Sequence, residues 1–289
     1  MIRPVHRPTK HCHLLAVIAL LGIALVTACA VRVPPDPTAT PDPPTAMPSL
    51  TPSPVPTSTP TATPIPPKEL TVCQAEEPNT LFIYGGPSRA ARNVLDAIYD
   101  GPVETPGYAF EDVILERLPS LEHDDAVLRT VEVGEGERVL NVDGEVVELL
   151  SDVEVRNGDG VETVFGGDVI TMTQMVVTFT LRADVKWADG EPLTSADSRF
   201  SFELAGQLDD AALQRRLDRT ANYEVADDRT VVWTGVPGYR DTYYLLNFYH
   251  PLPRHVMGAA DVEQLLETEM VRRRPLGWGP FAVEEWVEG

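Results

Sequence analysis

Beyond residue 67, the side chains best suited to nucleophilic or metal chemistry are His123, His250, His255 and the thiol of Cys73. Hydrolysis needs a nucleophile held by a base or a metal. The chain carries no Gly-x-Ser-x-Gly elbow and no His-Glu-x-x-His pair. His250 and His255 stand five apart around Pro251 and Pro253, a spacing that suits neither one helix face nor a zinc pattern. Cys73 closes an apolar run with no histidine near it in sequence, so a small buried hydrophobe is expected there rather than an activated nucleophile. Asn157-Gly158-Asp159-Gly160 shares part of a calcium-loop pattern. It lacks the alternating oxygen ligands and the glutamate at the twelfth position, so it reads as a turn. The expectation is a protein that is not an enzyme, with no catalytic residue, no metal and no cofactor.

A second thiol carries a different chemistry. Arg3, Arg7 and Lys10 precede a run from Leu14 to Val26 in which every residue is apolar or glycine, the layout of an export signal. Val26-Thr27-Ala28-Cys29 ends that run with small residues before a cysteine. A lipoprotein peptidase needs small side chains to fit that backbone, and the Cys29 thiol is then free to take a diacylglycerol. The alternative is an uncleaved anchor helix, because the segment stays uncharged as far as Val31. Both place the bulk of the chain outside the cytoplasm. With Cys12 removed in the leader and Cys29 acylated, Cys73 has no disulfide partner, so stability must come from a packed core.

From Pro34 to Pro67 the composition turns to Pro, Thr, Ser and Ala, with only Asp36 and Asp42 charged. Such a stretch buries too little apolar surface to fold and favours extended polyproline conformation. As a spacer it reaches about 100 Å at about 3.1 Å per residue. The organisation expected is a signal peptide over residues 1–28, a lipidated Cys29 and disordered linker over 29–67, and a folded part over 68–289. The formal net charge is −21, and the excess of acids lies in that folded part. Nucleic acid is therefore excluded as a partner.

The elements that must position any site follow from pattern. Lys68 to Cys73 reads as a first strand, followed by a polar loop from Gln74 to Asn79. Ser88 caps a helix in which Val94, Leu95 and Ile98 recur at helical spacing, ended by Tyr99-Asp100-Gly101. Short apolar runs from Leu128 to Leu150, broken at Gly134-Glu135-Gly136 and Asp143-Gly144, predict hairpins. Met175 to Arg182 alternates as a half-buried strand, Lys186 to Leu193 makes a tight turn, and Thr194 caps a helix with Asp197 as its capping-box partner. A hairpin flanks Asp227-Asp228, a helix is expected from about Ala260 to Met270, and a strand from Phe281 to Val287.

Three of these segments, in this order, resemble the family 5 extracellular solute-binding proteins, the receptors of peptide and nickel importers. The most specific is Phe179-Thr180-Leu181-Arg182 through Lys186-Trp187-Ala188-Asp189-Gly190-Glu191-Pro192-Leu193-Thr194-Ser195-Ala196-Asp197. The second is Pro275-Leu276-Gly277-Trp278-Gly279-Pro280-Phe281 with Glu285-Trp286, and the third is Lys68 to Asn79. The resemblance implies an α/β fold with mixed α+β sheets, a periplasmic-binding-protein-like lobe one of type II, cut before the second lobe. It implies a substrate-binding component of an ABC importer that hands a peptide or other small solute to a permease and ATPase complex. Gln74, Glu76, Glu77, Asn79 and Leu81 in the loop, with Gly277, Trp278 and Gly279 in the turn, would form the lobe-one wall of the solute cleft. Glu76 and Glu77 also fit solvated loop charges, and Trp278 also fits a packing role. A lone lobe would bind weakly, since half the contacts are missing. The rival readings are a surface adhesion or sensory module on its stalk, and a fragment of a split reading frame.

Overall fold

The computed structural model describes residues 70–287; the expected signal, the expected lipidation at Cys29 and the expected linker lie outside them. Chain order begins with helix α1 (Arg89–Ile98), then the short strands β1 (Val103–Glu104) and β2 (Glu111–Asp112). Next come β3 (Ala126–Val133), β4 (Arg138–Leu140), β5 (Val146–Glu148), β6 (Glu154–Arg156), β7 (Glu162–Val164) and the long β8 (Ile170–Thr180). Helices α2 (Ser195–Ala205) and α3 (Ala211–Asp218), strands β9 (Thr220–Asp227) and β10 (Thr230–Gly235), and short helices α4 (Arg254–Met257), α5 (Val262–Leu266) and α6 (Glu269–Arg272) complete it. Mixed helix and sheet is the class expected.

The central sheet has four antiparallel strands in the order β3-β8-β10-β9. Strand β8 is 11 residues long and serves two cores. Met175, Val177 and Phe179 join the main cluster with Leu95, Ile98, Trp187 and Trp233, while Met172 joins a smaller cluster with Val139, Leu149, Val155 and Phe165. The alternation Met175-Val176-Val177-Thr178-Phe179 sets the register: with the residue period of two, Val177 pairs with Trp233 and both are buried. Asp143-Gly144 does turn β4 into β5, but β3 pairs with β8 rather than with β4, so Gly134 and Gly136 end a strand without making a hairpin. Asn157 Oδ1 accepts from the backbone N–H groups of Asp159 (3.1 Å) and Val161 (2.9 Å), holding the turn between β6 and β7.

Helix α1 forms where its cap and spacing require it. Ser88 Oγ accepts from Ala91 N–H at 3.2 Å, and Ala91, Leu95 and Ile98 form its buried stripe. Truncating Ile98 to alanine should cost about 2–5 kcal/mol, the usual range for emptying a core site. Gly101 ends the segment at φ +74°, a conformation that strains residues with a Cβ.

The segment from Trp187 to Asp197 is organised by one buried carboxylate. The turn closes with Trp187 N–H to Glu191 O (2.9 Å) and Gly190 N–H to Trp187 O (2.9 Å), with Gly190 at φ +95°. Thr194 is the N-cap of α2. Asp197 Oδ2 accepts from the Thr194 backbone N–H (2.8 Å), the Thr194 hydroxyl (3.1 Å) and Trp187 Nε1 (3.4 Å), while Oδ1 accepts from the Arg254 backbone N–H (3.0 Å). The capping aspartate expected from sequence is thus also a tertiary tie to α4.

Four expectations need correction. Residues 70–73 are not a strand: Leu70 is 86% exposed and Val72 72% exposed, and no ladder forms there among the described residues. Cys73 is exposed rather than buried, because the segment carrying it has no sheet to pack into. The helix expected from Ala260 to Met270 is two short helices, interrupted where Thr268 donates to Leu265 O (2.7 Å) and caps α6 through its contact with Val271 N–H. Phe281 to Val287 runs extended without strand pairing. Its β-forming residues are present, but a strand exists only with a partner.

Candidate functional site

The two segments that carry the resemblance most specifically meet in space. Ala188 N–H donates to Gly277 O at 2.9 Å, and the rings of Trp187 and Trp278 meet edge to face at 5.4 Å. Trp278 also contacts Tyr99 at 4.9 Å and donates through Nε1 to Asp100 O at 3.0 Å. Of the two roles open to Trp278, the structure shows packing and turn anchoring. Gly277 and Gly279 are dictated by contact with α1: a Cβ on Gly277 would sit 2.1 Å from Ile98 O, and one on Gly279 2.6 Å from the same oxygen. Gly279 N–H donates to that oxygen at 2.7 Å. This satisfies a carbonyl of the last helical turn that would otherwise lack an intrahelical partner.

The loop residues fall differently. Asn79 turns back on its own loop, Oδ1 accepting from Ser88 N–H (2.7 Å) and Nδ2 donating to Gly86 O (3.2 Å). Leu81 is 1% exposed in the main core, its N–H donating to Arg272 O at 2.7 Å. Gln74 Oε1 accepts from Asn93 Nδ2 of α1 at 3.1 Å, and Glu76 is exposed to solvent. Glu77 Oε1 accepts from Trp286 Nε1 at 2.7 Å. That last bond joins the loop to the extended C-terminal segment across 209 positions of sequence.

Between these two segments lies an open groove of about 590 Å³, with Gln74, Glu77 and Leu81 on one side and Val283, Glu285 and Trp286 on the other. The sequence does not assign Val283 and Trp286 to a cleft; the available signal, the β-forming residues of Phe281 to Val287, predicts only a strand. Gly277, Trp278 and Gly279 do not line this groove but brace the far end of α1. Among the described residues, no backbone-to-backbone hydrogen bond is made by residues 71–78 or 282–287. Main-chain groups on both sides of the groove are thus not committed to a ladder, which leaves them open to contacts with a bound chain.

The titratable groups considered for chemistry stay apart. His123 Nδ1 pairs with Ser120 Oγ at 2.7 Å. His255 Nε2 lies 2.8 Å from Asp189 Oδ2, and this hydrogen bond is the main cause holding the Asp189 carboxyl below its ordinary pKa. Among the described residues, no group of three or more His, Cys, Asp and Glu is placed to hold a metal, and no helix is long and apolar enough to cross a membrane.

The sequence model of the bacterial extracellular solute-binding proteins, family 5 Middle, matches residues 171–289, from β8 through the extended C-terminal segment. Over that span this chain is similar to the family 5 solute-binding proteins. A Brucella ovis relative, named for peptide binding in an ABC transporter, is 35% identical over 122 residues, covering 41% of this chain and 22% of its own length. The oligopeptide-binding protein AppA of Bacillus subtilis is 26% identical over 123 residues, covering 38% of this chain and 20% of its own. The matched segment of the chain thus spans about a fifth of these family 5 relatives. The structure of AppA with a nonapeptide aligns at 18% identity and a TM-score of 0.45, covering 74% of this chain and 33% of that one. The oligopeptide-binding protein of Thermus thermophilus with a pentapeptide aligns at 17% identity and 0.46, covering 70% and 32%. The family match includes Val283, Glu285 and Trp286 of the groove, whereas the loop from Gln74 to Leu81 lies before it. The family is one of extracellular solute binders, as its description says.

Proposed function

We propose that this chain is a substrate-binding component of an ABC importer and that the groove between residues 74–81 and 283–287 is one wall of its solute site. One observation carries the reading: two segments that join no strand ladder among the described residues border an open groove, one of them within the stretch similar to family 5. A peptide is the solute whose chemistry fits, because its own N–H and C=O groups complement those of the groove walls without demanding particular side chains. Glu77 and Glu285 lend the groove negative charge, favouring a free amino terminus at one end. No part of this function requires a catalytic residue, a metal or a cofactor.

The same reading assigns the remaining segments. Residues 1–28 are the export signal, Cys29 takes the lipid, and residues 29–67 space the binding domain of residues 68–289 from the outer face of the cytoplasmic membrane, where it meets the permease and ATPase complex. In whole receptors of this type, solute contacts both lobes and so stabilises the closed form, which the importer recognises. The relatives' greater length accords with more of that machinery than the matched fifth.

Calorimetric titration of the full chain with tetra-alanine tests the binding assignment. Weak saturable binding is expected, reduced about tenfold in Trp286→Ala, the size of a modest aromatic hot spot of about 1.4 kcal/mol. Binding unchanged in that variant would remove the groove from the account. For the anchor, Cys29→Ala should abolish incorporation of labelled fatty acid; undiminished labelling would place the lipid elsewhere or nowhere.

A further inference from the structure

The chain has a formal net charge of −21, yet one cleft on it is basic. Arg215 and Arg216 occupy the last turn of α3, and Arg219 is its C-cap. All three face a cleft of about 400 Å³ whose other walls include Trp233, Tyr239 and Asn247. Cations in the last turn of a helix complement its dipole, but that role needs no cleft and asks for no acceptor.

Several arginines elsewhere pair with carboxylates, among them Arg117 with Asp125 at 2.7 Å, Arg156 with Glu162 at 2.6 Å and Arg182 with Asp184 at 3.0 Å. None of the ion pairs among the described residues involves Arg215, Arg216 or Arg219. In a chain with 44 acids to 23 bases, this cleft gathers three guanidiniums, none of them in an ion pair, against a single carboxylate. Two of them are held in position by rings: Arg216 lies 3.9 Å from the Tyr249 ring centroid, and Arg219 lies 5.1 Å from that of Tyr239. Arg216 also donates through Nη2 to Leu246 O at 2.8 Å. Its Nε is nevertheless buried without a hydrogen-bond partner, and leaving such a donor unsatisfied costs about 1–3 kcal/mol.

One acid, Asp241, lines the cleft, and it is already engaged. Its Oδ1 accepts from Tyr243 N–H at 2.8 Å and its Oδ2 from Asn247 Nδ2 at 2.9 Å. Burial, and then the charge of Asp241, raises the pKa of the Tyr239 hydroxyl. Each guanidinium offers a planar fork of N–H groups that matches two oxygens at once.

We propose that this cleft binds a small oxyanion, a carboxylate or a phosphate group, through Arg215, Arg216 and Arg219. The site is separate from the solute groove, sharing no lining residue with it. At physiological ionic strength the Debye length is about 8 Å, so the distant negative charge of the chain opposes the anion only weakly.

The test is calorimetric titration of the full chain with inorganic phosphate and, separately, with citrate, at constant ionic strength set by chloride. One-site binding tighter than about 1 mM is expected for at least one of them. Tighter phosphate binding assigns the site to phosphate groups, and tighter citrate binding assigns it to carboxylates. The double variant Arg215→Gln/Arg219→Gln should weaken binding at least tenfold, while Arg156→Gln, on β6, should leave it unchanged. Arg215→Gln alone, at an exposed position, should weaken it about threefold even if the double variant folds poorly. No saturable binding of either anion, or equal affinity in the Arg215 variant, would overturn the proposal.

Discussion

Asp197→Ala is the perturbation from which most can be worked out. Asp197 is 4% exposed, and its carboxylate accepts from two backbone donors, Thr194 N–H at 2.8 Å and Arg254 N–H at 3.0 Å. Alanine leaves both without this partner, at about 1–3 kcal/mol each. The Trp187 Nε1 contact, at 3.4 Å, is long enough to add little. Loss of the N-terminal cap of α2 overlaps with the Thr194 cost and is not counted twice. The expected destabilisation is therefore about 2–6 kcal/mol, read as a fall in the urea midpoint at pH 7 with an unchanged slope. Asp197→Asn keeps one acceptor oxygen and turns an NH2 toward the other donor, so about half the loss is expected. A shift below about 1 kcal/mol for the alanine variant would refute the claim that this carboxylate ties the turn, α2 and α4 together.

Further outcomes follow from the same structure. Gly277→Ala puts a methyl 2.1 Å from Ile98 O and should cost at least about 1–3 kcal/mol by overpacking, seen as a lowered melting temperature; an unchanged melt would mean the turn does not press on α1. Cys73 is exposed and should react with a maleimide under native conditions as fast as a free thiol, whereas protection would restore the buried reading. The Asp189 carboxyl is held low by His255, so this contact stabilises the fold above the ordinary carboxylate range near pH 4 and is lost as pH falls through the depressed value. Carbon-detected NMR titration should show the Asp189 pKa rise toward ordinary in His255→Ala; no change would assign the shift to another cause.

How much is legible in the sequence depends on how local each determinant is. Thr194 and Asp197 lie three apart, so the cap can be read from the chain, but the tie from Asp197 to Arg254 spans 57 residues and needs the fold. The β8 alternation declares its buried face because both neighbours, β3 and β10, are present to receive it. Residues 70–73 and 281–287 have the same chemistry without partners, so propensity points to strands that pairing does not make. Helix α3 escapes a reading by pattern because its apolar stripe is only Leu213 and Leu217, partly buried against the main core, within eight residues. In the groove, Gln74 and Glu77 come from the resemblance, whereas the Glu77–Trp286 bond joins chain segments that nothing in the sequence links. Trp278 looks equally suited to packing or recognition, since an indole serves both; its bond to the carbonyl of Asp100, which shows the packing contact, links residues far apart in sequence.

Photo-crosslinking is the direct measure of where a solute sits. A short peptide carrying benzoylphenylalanine, irradiated with the full chain and mapped by mass spectrometry, should attach to residues 72–81 and 283–287. Adducts concentrated on any other face, with those two segments unlabelled, would contradict the assignment of the groove.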